Sequence, residues 1–86
     1  MRAEQIQQAG AYCRAAEAFA RVVHDTGVHQ PQSTWLLTVE RGISTLLKET
    51  SPRNADGALW TPRLLEALCM CAYARGHGPP PARLAA

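Results

Sequence analysis

Ile6, Ala9, Cys13, Ala16, Ala20 and Val23 recur at intervals of 3, 4, 3, 4 and 3 residues. A helix turns once in about 3.6 residues, so this spacing sets all six on one side, whereas a strand would scatter them over both faces. The pattern predicts one amphipathic helix over residues 3–25. Tyr12 and Phe19 widen its apolar face, and Gln7, Arg14, Glu17, Arg21 and Asp25 form the opposite stripe. Glu17 and Arg21 stand four residues apart, where opposite charges meet on a helix surface. A third side carries Ala11, Ala15 and Ala18, small enough for another helix to approach closely. Gly27 supplies the stop, because glycine alone enters the left-handed region without steric cost.

The same reasoning predicts two further helices. "VHQPQST" (Val28–Thr34) is a connection, with Ser33 or Thr34 able to cap the second helix. Leu36, Val39, Ile43, Leu46 and Leu47 then keep a helical period over residues 35–49. "TWLLTV" alone is β-prone, but the period continuing to Leu47 decides for helix. Leu37 falls on the polar side of this helix, among Arg41, Ser44 and Lys48. After the breaker-rich "TSPRNADG" (Thr50–Gly57), Thr61 reads as an N-cap and Pro62 as the first helical residue. Trp60 and Leu65 would then form a hydrophobic staple. The third helix is predicted over residues 62–75, with Gly76 as its end. Residues 77–86, with three consecutive prolines at Pro79–Pro81, read as a flexible tail. The expected fold is all-α: a small three-helix bundle over residues 1–76, with a long N-terminal helix and a Pro-rich C-terminal tail.

The third helix raises the question of function. From Leu64 to Ala74 the only charged residue is Glu66. Leu64, Leu65, Leu68, Cys71 and Ala72 suffice for a core stripe, which leaves Ala67, Met70, Tyr73 and Ala74 on the other side. A helix apolar on nearly every side requires burial on nearly every side. Either it is central, wrapped by the first helix and the tail, or its back meets another chain. The first helix, about 34 Å long, overhangs partners of about 20–23 Å. That overhang favours the second alternative. Met70, Tyr73 and Ala74, joined by Leu37 and Trp35, are therefore the expected partner-binding residues.

Composition sets the remaining bounds. A chain of this length buries only about 60% of the surface its unfolded form exposes, so a partner subunit would help it. No signal-peptide core precedes the first helix and no apolar run has the length of a membrane span, which predicts a cytoplasmic protein. Its three cysteines are expected as reduced thiols. Cys69 and Cys71, two apart on a helix, point about 200° from each other and cannot chelate one ion there. His24, His29 and His77 add no metal-ligand spacing. No cofactor, metal or catalytic set is expected: neither a nucleophile–base pair nor a glycine-rich phosphate loop is present.

The expected function is a non-catalytic protein–protein interaction module acting through an apolar helical surface and pairing with itself. It would serve as adaptor, subunit or inhibitor of a larger assembly. Small proteins of mobile elements share this size class. The alternative is a small DNA- or RNA-binding regulator of helix-turn-helix type, with Arg41, Lys48, Arg53 and Arg63 on phosphates. The net charge of +2 is a weak field for it. Its predicted helix 2–helix 3 connection of about ten residues is also long for that motif.

Overall fold

In a computed structural model, which describes residues 1–85, four helices succeed one another: α1 (Ala3–Thr26), α2 (Thr34–Glu49), α3 (Ala55–Ala74) and α4 (Ala82–Ala85). The three long helices form a bundle in which α1 packs chiefly on α3, and α2 packs against both. The predicted periods of α1 and α2 hold to within about a residue of their expected ends. Gly27 ends α1 at φ 72°, its N–H donating to the Val23 carbonyl at 2.7 Å. Ser33 caps α2, its hydroxyl accepting from the Leu36 N–H at 3.2 Å.

The core is built from small residues on α1 and large ones opposite. Ala9, Ala16 and Ala20 are fully enclosed, and so are Leu36 and Ile43 of α2 and Leu64 and Cys71 of α3. Alanines let the neighbouring helices approach α1 closely, and Gly42 does the same from α2. A Cβ at position 42 would lie 2.5 Å from the Tyr12 ring, so the aromatic ring lies directly on the α2 backbone.

α3 departs from expectation at its start. It begins at Ala55, not at residue 62. Asn54 is the cap, its side-chain oxygen accepting from the Gly57 N–H at 2.8 Å. Gly57 is then pressed on the preceding turn: a Cβ there would sit 1.7 Å from the Ser51 carbonyl oxygen. Pro62 lies inside the helix and removes one hydrogen bond, a defect of about 3 kcal/mol in a helix interior. Both Pro62 and Ala58, whose carbonyl it leaves unpaired, face solvent, so water can satisfy the orphan. The staple is not formed. Trp60 is half-buried against Gly10, while Leu65 stays 50% exposed.

The end of the chain, expected as a flexible tail, turns back toward the bundle. Gly76, at φ 84°, reverses the direction, with its N–H on the Tyr73 carbonyl and the His77 N–H on the Ala72 carbonyl. The segment then runs back to α4, which packs on α1. Leu84 is only 5% exposed and belongs to the same apolar core as α1, α2 and α3.

Candidate functional site

The expected binding face on α3 is not a surface. Met70, Tyr73 and Ala74 are 1%, 8% and 0% exposed. Of the two fates open to an all-apolar helix, the chain takes the first: α3 is central and wrapped by its own neighbours. α1 covers one side, and the returning tail brings Leu84 into the same cluster. The α1–α2 connection covers the end: His29 meets Tyr73 edge-on at 5.4 Å, and the Gln30 N–H donates to the Ala74 carbonyl. The buried face is rotated about a quarter turn from the expected stripe. Leu64 and Cys71 belong to it as expected, but Leu65 is exposed, and Leu68 and Ala72 are only partly buried.

Trp35 is a surface residue, 50% exposed, and its ring stacks on Phe19 with centroids 5.1 Å apart and planes at 24°. Phe19 is half-buried and holds the indole against α1. Val22, one helical turn beyond Phe19, is 60% exposed, so these three residues form an apolar corner where α1 meets the start of α2. Ala11, Ala15 and Ala18 lead up to it along α1; Ala11 and Ala18 are exposed. Leu37 is on the other side of α2. It is half-buried and lines a shallow groove of about 460 Å³ with Glu40, Arg41, Ser44, Lys48 and Arg75. There Arg75 donates to Glu40 at 2.6 Å and ties α3 to α2. The structure therefore separates Trp35 and Leu37.

The four residues of the nucleic-acid alternative are dispersed as well. Arg41 and Lys48 line the α2 groove, Arg53 sits in the connection before α3, and Arg63 lies 5.2 Å over the Trp60 ring on the α1–α3 side. Because α3 starts at Ala55, the α2–α3 connection is Thr50–Asn54, and its length no longer argues against a helix-turn-helix. The residue types still do: a reading helix shows several polar side chains, whereas α3 exposes Leu59, Leu65 and Cys69 with Arg63 as its single cation.

A second groove, of about 710 Å³, runs between α1 and α3. Cys13, Trp60 and Met70 supply apolar lining; Arg14, Arg21, Arg63 and Arg83 surround them with Glu17 and Glu66. Arg83 bridges the two carboxylates, Glu66 at 2.9 Å and Glu17 at 3.3 Å. Hydrogen bonding to Glu66, then the charge of Glu17, raises the pKa of its guanidinium further. Sequence reasoning missed this clamp. Its signal was the lone charge in the apolar run, Glu66, and the single arginine placed beyond the prolines.

The thiols divide as helical geometry requires. Cys69 is exposed and Cys71 buried. Burial, aided by Glu40, pushes the Cys71 thiol up to about 12, and burial also raises Cys13, whose S–H points at the Arg63 carbonyl. Both are protonated at neutral pH and are poor nucleophiles. Among the described residues, no group of three or more His, Cys, Asp or Glu side chains is placed to hold a metal ion. No helix among them is long and apolar enough to cross a membrane. Comparison with known proteins gave no match: no family description, no curated protein and no solved structure is similar to this chain.

Proposed function

We infer that the protein acts by binding another protein, without catalysis, through the apolar corner of Phe19, Val22 and Trp35. Pairing with a second copy is the simplest form of that binding. The half-exposed Trp35, held flat on Phe19, is the observation that carries this reading. A tryptophan left in solvent but fixed in one orientation offers a large contact area with little conformational entropy left to lose. The exposed alanines along α1 would let a partner helix approach closely beside it. Such a surface suits an adaptor, a subunit or an inhibitor of a larger assembly.

Sedimentation or light scattering over a range of concentrations tests the reading. The unaltered chain is expected to exceed monomer mass at high concentration. Trp35→Ala and Val22→Glu each should weaken pairing by about tenfold or more, as hot-spot truncations do, with unchanged helicity. A chain that stays monomeric would overturn self-pairing, and variants that pair as well as the parent would overturn the corner as the binding site.

A further inference from the structure

Glycine weakens a helix interior relative to alanine, and Gly10 stands in the first half of α1. The space left by its missing side chain is used. A Cβ at position 10 would lie 3.2 Å from Nη1 of Arg14 and 3.8 Å from Cη2 of Trp60. Arg63 approaches the same indole, its Cζ 5.2 Å from the ring centroid. Two guanidinium groups, Arg14 from α1 and Arg63 from α3, therefore flank one half-buried tryptophan. Both line the α1–α3 groove and both are exposed. Among the described residues no salt bridge holds either of them. The two acids of the groove are already matched: Glu17 by Arg21 at 3.1 Å and Arg83 at 3.3 Å, and Glu66 by Arg83 at 2.9 Å. Four arginines against two glutamates leave an excess of two positive charges, which equals the net charge of the whole chain. That excess sits on the pair beside Trp60.

We propose that the α1–α3 groove binds a small organic phosphate monoester, with the phosphate between Arg14 and Arg63 and the organic part on the apolar lining. One guanidinium fork matches the two oxygens of a carboxylate. A phosphate monoester carries nearly two negative charges and three free oxygens at neutral pH, which suits two guanidinium groups. The groove, of about 710 Å³, falls within the usual range of small-molecule sites, about 300–1,000 Å³, and is far larger than a phosphate ion needs. Cys13, Trp60, Ala67 and Met70 line the remainder and offer contact to a hydrocarbon or aromatic group. Trp60 also positions Arg63, since a guanidinium held over a ring keeps N–H groups free to donate to an anion. Arg83 contributes indirectly. By neutralising Glu17 and Glu66 it removes the repulsion those carboxylates would exert on an incoming anion. None of this depends on pairing through the Phe19–Trp35 corner.

Phenyl phosphate is the probe, titrated into the full-length chain in low-salt buffer at neutral pH and followed by amide chemical shifts. Saturable binding with a Kd of about a millimolar or tighter is expected, with the shifts centred on Gly10, Arg14 and Arg63. Arg14→Gln and Arg63→Gln should each weaken it by about tenfold or more. Both side chains are exposed, so helicity should not change. Arg41→Gln, which removes a cation from the α2 groove, should leave the affinity within about twofold. Benzoate, with a single charge, and inorganic phosphate, with no organic part, should each bind at least about tenfold more weakly. Failure of phenyl phosphate to saturate below about 10 mM, or shifts centred elsewhere in the unaltered chain, overturns the site. So does undiminished binding by the two glutamine variants, or an Arg41→Gln loss as large as theirs. Benzoate binding as tightly as phenyl phosphate overturns the assignment to phosphate, and inorganic phosphate binding as tightly overturns the assignment to an organic ester.

Discussion

The back of α3 and the Phe19–Trp35 corner are both rich in apolar side chains, yet one is closed and the other open. Met70 is 1% exposed and Trp35 is 50% exposed. Side-chain hydrophobicity does not separate them. The difference lies in which segments of the backbone pass over each place. Two connections converge on α3: the α1–α2 link, through His29 and Gln30, and the strut that returns Arg83 and Leu84. Trp35, in the first turn of α2, is stacked on one side by Phe19 and left to solvent on the other. In a chain this short, which apolar surface is hidden depends on where the few non-helical residues run.

The comparison can be broken most forcefully at Met70. Met70→Lys puts an ammonium group into an enclosed site, and the stability lost should be about 3 kcal/mol or more, enough to abolish a cooperative thermal transition followed by circular dichroism. Were Met70 on an open face, as the sequence suggests, helicity would survive. Leu84→Ala comes next. It removes a nearly buried side chain from a segment that can readjust, and the loss should be about 1–3 kcal/mol by urea denaturation. A loss near zero would mean that the tail leaves α3 uncovered for much of the time.

Alkaline pH gives a smaller and graded effect. Cys71 is raised in the folded chain to about 12 from an ordinary value of 9.0. The unfolded state therefore loses its proton first. The stability due to the buried neutral thiol is complete below pH 9, declines as pH rises from there, and is lost on passing through about 12. Cys71→Ala should flatten that decline in a urea titration series. Trp35→Ala should have the smallest effect on folding, under about 1 kcal/mol, because the indole is half in water already. A large loss of stability there would make the corner part of the core and erase the contrast.

Helix type was legible in α1 and α2, whose apolar residues keep a 3.6-residue period, and in α3 from residue 62 onward, where it rested on the Thr61–Pro62 start signal and the apolar run. Capping chemistry located the starts less well. Thr61–Pro62 has the form of a helix beginning and Asn54 has it too; the earlier one wins because α3 tolerates Pro62 on its solvent side. The rotation of α3 was hidden for a related reason: with apolar residues all round, periodicity cannot say which side faces in. Of the expected binding residues, only Trp35 lies well exposed at a place where a partner can reach it. The Arg83 clamp joins residues 17, 66 and 83, and pairings between such distant positions leave no local pattern. Only the unmatched Glu66 hinted at it.

Cys69 has a practical consequence for every experiment that weighs this molecule. It points away from the buried Cys71, so two molecules meeting in aerated buffer can join through their sulfurs, giving a covalent species of doubled mass that owes nothing to the Phe19–Trp35 corner. A reducing agent, or serine at that position, takes this artefact out of the measurement. Conversely, a maleimide dye placed there marks the exposed face of α3.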